Sequence, residues 1–299
     1  MDFKFTEEQA MIRDTAEAFL AEVSTSAAVR QAMATEPGYD PQLWQRICEE
    51  MFWQAIHIPE EHGGMGLGYV ELVAMLEQMG RYLLCSPFYA TVCLGVNALR
   101  VAGSEAQQAQ YLPAIVAGGT ATLAYTDASG RWDAQAVSTT CVVEGANFTL
   151  NGRYRYVPDG HTADLLVVAA REPGSQGASG ISLFVLPADT PGVSRRWLPT
   201  MDQTRRLAEI ELNDVVLDAS ALLGEAGQAW PQLSRIIDLA TIAIAADQVG
   251  GAQQSLDIAV AYMQERVQFG RVIASYQALK HKAADMMLKA EAGRSALYY

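Results

Sequence analysis

Residues 262–282 read YMQERVQFGRVIASYQALKHK. They lie between two stretches whose apolar residues recur near helical spacing. Upstream these are Leu233, Ile236, Ile237, Ala240, Ile244, Leu256, Ala259 and Met263; downstream they are Ala283, Met286, Met287 and Ala290. The spacing predicts a helix end, a corner and a second helix. Phe269-Gly270 reads as the stop, because glycine commonly follows a helix end. Ser275 reads as the cap of the next helix through its hydroxyl. Arg266, Gln268, Arg271, Lys280, His281 and Lys282 make the corner basic in a chain of net charge -13. Two readings stand. One is an ordinary corner with solvated cations. The other is a phosphate site, where free N–H groups and the positive end of a helix meet a planar guanidinium.

The 299 residues are 50% hydrophobic, enough for a sizeable core and about two domains by length. The negative charge argues against a nucleic-acid partner. Cys48, Cys85, Cys93 and Cys141 form no C-x-x-C and read as free thiols in a reducing cytoplasm. The start, MDFKFTEEQ, has no apolar signal-like segment. The uncharged run 82–99 contains Ser86, Pro87, Thr91 and Asn97; it reads as a buried loop-helix, not a membrane span.

Residues 1–118 read as helical. Thr6 with Gln9 three residues on forms a capping-box pattern, and Pro41 suits a first helical position. The Gly-rich run 57–66 has no dinucleotide-fingerprint spacing. Its His57 and His62 lack the companions a metal site needs. Near Gly118-Gly119 the period turns to alternation, and residues 119–222 read as an antiparallel β domain. Asn151-Gly152 is a hairpin signal. Residues 223–299 return to helices. The first, about 231–267, would span on the order of 55 Å at 1.5 Å per residue. Gly250-Gly251 inside it reads as close backbone packing.

Arg266-x-Gln268-Phe269-Gly270 followed by Gln277 resembles the flavin-binding signature of the acyl-CoA dehydrogenase family. The run Pro59-Glu60-Glu61-His62-Gly63-Gly64-Met65-Gly66 and the helix–β–helix order resemble that family over the whole chain. The resemblance implies an α+β fold: an N-terminal helical domain, a central antiparallel β domain and a C-terminal helical bundle, incomplete here. It implies FAD and an acyl-CoA thioester, with a carboxylate taking the α-proton and hydride passing from Cβ to flavin N5. It also implies an electron-transfer flavoprotein as acceptor and an oligomer, dimer or tetramer, homo- or heteromeric, in which Arg266 reaches a neighbour's cofactor.

Residue by residue the match is uneven. Tyr125 and Thr126 fall where the family's Thr-Glu-Pro motif begins, but 127–133 reads DASGRWD, without its Pro or small-residue turn. Tyr156-Val157-Pro158 stands where the family carries Trp-Ile-Thr. Tyr can stack on a flat ring; Pro158 offers neither hydroxyl nor N–H. Arg266, Phe269 and Gln277 match FAD-contacting positions. Relatives place the base either beyond Tyr299 or on the first C-terminal helix, where Ala240 stands. Asp247, seven residues on, shares that helix face about 10 Å further along. It reads either as the base, its acidity lowered by Ala245, Ala246 and Val249, or as a partner at a helix contact. The last residues are still apolar-periodic, so a partner chain or further helices should cover them. Three functions are compatible: a dehydrogenase, a non-catalytic or half-site subunit of a heteromeric one, and a flavin monooxygenase on the same fold.

Overall fold

The computed structural model describes residues 5–145 and 147–298. Eight α-helices are described: α1 Glu7–Val23, α2 Ser26–Met33, α3 Pro41–Arg46, α4 Tyr69–Arg81, α5 Asn97–Ala102, α6 Glu105–Val116, α7 Trp230–Glu265 and α8 Gln277–Tyr298. Strands β1 Ala121–Ala124, β2 Thr140–Glu144, β3 Asn147–Pro158, β4 Leu165–Arg171, β5 Ile181–Pro187, β6 Val193–Leu198, β7 Leu207–Asp218 and β8 Leu222–Leu223 share one sheet. β9 Val267–Gln268 and β10 Arg271–Val272 form a separate hairpin. Among the described residues, no helix is long and apolar enough to cross a membrane.

The chain divides into two compact units, Met1–Val29 with Gly68–Leu84 and Ile242–Tyr299, and Arg30–Leu67 with Cys85–Thr241. In the first, α1 packs along α4. Thr6 and Gln9 complete the capping box at the start of α1. The Gln9 amide donates to Glu71 of α4 at 2.8 Å. α4 and α7 meet backbone to backbone. A Cβ built on Gly80 would lie 1.8 Å from the carbonyl oxygen of Asp247, and one on Gly250 would lie 1.7 Å from that of Glu77. Glycine here permits the contact, and α7 runs unbroken through Gly250-Gly251. Glu77, almost fully buried, accepts from Arg294 Nε at 2.8 Å and from the Tyr298 hydroxyl at 2.8 Å, tying α8 to α4.

In the second unit the sheet runs β6-β7-β3-β2-β4-β5-β8, with β1 beside β4. The pairing is antiparallel, except that β1 runs parallel to β4 and β2 meets β4 in parallel at Thr140 and Arg171. β4 and β5 are apolar on both faces because each face has a core. Val167, Ala169, Leu183 and Val185 join Leu94, Leu99, Leu112, Leu233 and Ile236. Leu166, Val168, Phe184 and Leu186 join Phe148, Leu150, Tyr154 and Ile210. Such strands read as continuous apolar runs.

The structure corrects several expectations. Asn151-Gly152 makes no hairpin turn; it lies inside the 12-residue β3. The register passes from Leu150↔Val215 to Gly152↔Leu212, so β7 carries an extra residue there. Asp214, at φ 50, exchanges hydrogen bonds of 2.9 and 2.8 Å with the Asn151 side chain. The amide therefore serves a β-bulge. Phe269-Gly270 is not a helix stop, since α7 has ended at Glu265; it is the two-residue turn of the β9–β10 hairpin. Ser275 does not cap α8; its hydroxyl donates to the Val272 carbonyl at 2.7 Å, within a 3-10 turn that precedes the helix.

Candidate flavin site and family membership

Two groups of sequence-predicted residues are each assembled locally, one in each unit. The first is built on β3. Between Tyr154↔Ile210 and Val157↔Ala208 this strand carries one residue more than β7. The resulting bulge holds Tyr156 at φ 62. Bulges re-aim side chains, and a non-glycine residue in that region is strained by on the order of 1 kcal/mol. The outcome is a phenol ring at the surface, 39% exposed. The Arg155 guanidinium lies 5.4 Å from its centroid. Gly130, at φ +67, packs against the same ring, and a Cβ there would sit 3.5 Å from it.

Thr126 follows β1 and is buried. Its hydroxyl donates to the Arg155 carbonyl at 2.5 Å, and the Arg155 N–H donates to the Thr126 carbonyl at 2.9 Å. Tyr125 is half-buried against the helix-facing core, and burial pushes its hydroxyl pKa well up. Val157 points its side chain into the other core. Pro158 accepts from the Thr122 hydroxyl at 2.7 Å through its carbonyl.

Arg155 sits in a charged cluster on the exposed side of β3, β6 and β7. Glu209, itself buried, pairs with Arg155 at 3.2 Å and with Arg196 at 2.8 Å; Arg153 pairs with Glu211 at 3.1 Å. These ion pairs were not anticipated from sequence. The alternation R-x-R in β3 opposite E-x-E in β7 was the available signal.

The second group is the 262–282 corner. The hairpin turn has positive φ at both central residues, 53° at Phe269 and 79° at Gly270, as a type I′ turn requires. Asn-Gly is the favoured pair there. Phe269 instead is 92% exposed in a strained conformation. Its ring meets Tyr276 edge-on at 6.5 Å, while the Arg271 guanidinium lies 4.2 Å from the centroid of Tyr276. The Tyr276 hydroxyl donates to the Gln268 carbonyl at 3.0 Å, and the Ile273 N–H to the Arg266 carbonyl at 2.8 Å. Arg266 is exposed, and the exposed Gln277 opens α8. A helix start leaves N–H groups unpaired within the helix, so a guanidinium, an amide and backbone donors share one tightly braced corner.

The two candidate base positions differ. Ala240 is buried in the helix-facing core, where its carbonyl accepts from the Tyr89 hydroxyl at 3.1 Å. Asp247 is half-buried on α7, at the residue whose backbone meets Gly80. His57 is buried and hydrogen-bonded to Asn97 at 3.0 Å, and burial lowers its pKa to about 4. Among the described residues no group of three or more His, Cys, Asp or Glu side chains could hold a metal.

Comparison with known proteins identifies the class. Residues 6–119 match the N-terminal domain of acyl-CoA dehydrogenase, 122–215 its middle domain and 227–299 its C-terminal domain. The chain belongs to the acyl-CoA dehydrogenase family, and its enzymatic class is that of acyl-CoA dehydrogenase-type oxidoreductases. It is 31% identical over 294 residues to acyl-CoA dehydrogenase IpdE2 of Mycolicibacterium smegmatis, a match covering 98% of this chain and 76% of that protein. Among solved structures, butyryl-CoA dehydrogenase from Megasphaera elsdenii superposes with a TM-score of 0.90 at 27% identity, over 100% of this chain and 79% of that one. The ChsE4-ChsE5 complex from Mycobacterium tuberculosis gives a TM-score of 0.88 at 26% identity, over 100% and 78%.

A flavin is the cofactor this family implies, and the residues fit one unevenly. The 262–282 corner has the donor chemistry of a diphosphate site, and Tyr156 offers an aromatic face. The ring-edge donors are fewer. The Thr126 proton is committed to Arg155, leaving its lone pairs as acceptors, and Pro158 brings no donor.

Proposed function

We propose that this protein is an FAD-dependent acyl-CoA dehydrogenase acting on the α,β bond of a thioester. The carrying observation is the 262–282 corner, which presents an exposed, strained Phe269 beside the start of α8 and the exposed Arg266 and Gln277. Tyr125, Thr126, Tyr156 and the backbone at Val157 border the ring, while Arg266, Phe269, Gln277 and the N–H groups of α8 reach the diphosphate of a neighbouring subunit's cofactor. A flavin bound there supplies the acceptor for the hydride leaving Cβ. Asp247 takes the proton from Cα. An electron-transfer flavoprotein would be the acceptor partner. The assembly is an oligomer, a dimer or tetramer. The division is 1–118, 119–222 and 223–299, and the four buried free thiols fit a reducing cytoplasm.

A second function is favoured by two observations: Ala240 at the helical base position, and the loss of a ring-edge donor at Pro158. Both suit a half-site subunit whose corner serves a flavin held mainly by a different chain. One experiment separates them. A purified chain, loaded with FAD, is mixed anaerobically with acyl-CoA thioesters of several lengths. Bleaching of the flavin band supports the dehydrogenase. A chain that takes up flavin only when co-expressed with a homologue supports the half-site subunit, and rapid reoxidation with substrate hydroxylation points to a monooxygenase.

A further inference from the structure

We infer that Arg171 is a positioning residue for the flavin-side loop 127–133, acting as a guanidinium staple at the loop's C-terminal end. This rests on the functional proposal above for its consequence, though not for its geometry.

The loop leaves β1 at Thr126, whose reciprocal bonds with Arg155 fix that end. Within it, the Asp127 carboxylate accepts from the Ser129 N–H at 2.8 Å, and Arg131 donates to Asp133 through Nε at 3.0 Å. Gly130 rests on the Tyr156 ring. Arg131 and Trp132 are exposed, Trp132 by 57%. The loop then enters a 3-10 turn, Ala134–Ala136, capped by Asp133.

Among the described residues, 134–137 pair with no strand. Arg171 holds them instead, from the last position of β4. Its Nε donates to the Val137 carbonyl at 2.5 Å and its Nη2 to the Ala134 carbonyl at 2.6 Å. The same guanidinium reaches the 173–180 loop, with Nη1 to the Ser175 carbonyl at 2.9 Å and Nη2 to the Gly177 carbonyl at 2.9 Å. Its own N–H donates to the Thr139 carbonyl at 2.8 Å. Four backbone carbonyls from two loops thus converge on one planar cation, and the partial desolvation of that cation lowers its pKa. Only arginine offers five donors in a fixed fork; lysine has three on a single nitrogen and cannot span both loops. Charge-assisted bonds of this kind are stronger than neutral ones.

Without the staple, the C-terminal anchor of 127–133 loosens, and with it the seat of Gly130 on Tyr156. The remaining protein keeps its two cores, since Arg171 belongs to neither.

Limited trypsin digestion tests this, because Arg131–Trp132 is a cleavable bond in the loop. Arg171→Lys is expected to raise cleavage after Arg131 roughly tenfold, the factor for losing on the order of one net charge-assisted hydrogen bond. Cleavage after Arg196, exposed on β6, should not change. Arg171→Gln, with two donors on one nitrogen and no charge, should raise cleavage after Arg131 at least as much as Arg171→Lys and covers the case in which lysine prevents folding. In the same samples, the Kd for added FAD should rise about tenfold in Arg171→Lys. Unchanged cleavage after Arg131, or an equal increase after Arg131 and Arg196, would overturn the assignment. Selective nicking of Arg171→Lys after Arg131, with a wild-type chain that binds no FAD, would uphold the staple and defeat the flavin proposal instead.

Discussion

Thr126 and Arg155 exchange two hydrogen bonds: the threonine hydroxyl donates to the arginine carbonyl at 2.5 Å, and the arginine N–H returns to the threonine carbonyl at 2.9 Å. This pair joins the end of β1 to the bulge that presents Tyr156. Thr126→Val keeps the shape and the β preference but leaves the Arg155 carbonyl without its hydroxyl partner. The expected destabilisation is about 1–2 kcal/mol by urea denaturation, and the flavin absorption bands of the loaded protein should shift. Wild-type stability in the valine variant would remove the hydroxyl from the account of this bulge.

Phe269 stands where the turn prefers asparagine. Phe269→Asn should therefore stabilise the isolated fold by roughly 0.5–1 kcal/mol, since asparagine tolerates left-handed φ far better. The same change should weaken FAD binding, because the exposed ring is lost. Thermal melting with and without FAD reads both effects, and a gain in both quantities would show that Phe269 has no binding role.

The glycines at the α4–α7 crossing make an opposite prediction from helix propensity. Alanine is favoured over glycine inside a helix by about 1 kcal/mol. A Cβ at Gly80 or Gly250 would nonetheless lie within 2 Å of a backbone oxygen, at 1.8 and 1.7 Å. Gly80→Ala and Gly250→Ala should each destabilise by about 3 kcal/mol, because the helices must move apart. A stabilising effect measured by denaturation would mean that α4 and α7 do not touch in this way.

Asp159 is buried after β3, and burial raises its pKa from 3.8 to about 7, although Arg205 and Arg206 pull it down. Between those values the folded state holds more protons than the unfolded one, so stability falls as pH rises through that window and the loss is complete above it. Asp159→Asn cannot ionise. Between pH 5 and pH 8 the wild-type melting temperature should fall by more than that of the variant. Parallel melting curves across that range would contradict the raised pKa.

Much of the architecture was legible in the sequence. The capping box at Thr6, Pro41 at a helix start and the glycine pair within α7 each announce a local geometry that the chain adopts. Continuous apolar runs exposed β4 and β5, because both their faces are apolar. β6 was hidden: its VSRRWL sequence places Arg195 inward, donating to the Ala163 carbonyl at 2.6 Å, so charge masked a strand. Asn151-Gly152 misled because a bulge and a hairpin demand similar backbone freedom, and only the partner strand distinguishes them. The 262–282 corner was found, but its hairpin was not. Two-residue strands leave no periodicity, and glycine after phenylalanine fits a helix stop equally well. The Arg171 staple left no local trace, since its carbonyl partners belong to any sequence.

The central claim is that the 262–282 corner grips a flavin dinucleotide through Arg266. Its most direct test is titration of the purified protein with FAD, followed by absorbance, for wild type and Arg266→Ala. Loss of a charge-assisted contact to phosphate should weaken binding about tenfold or more, with the melting temperature of the flavin-free protein unchanged. Equal affinity in the two proteins would contradict the claim.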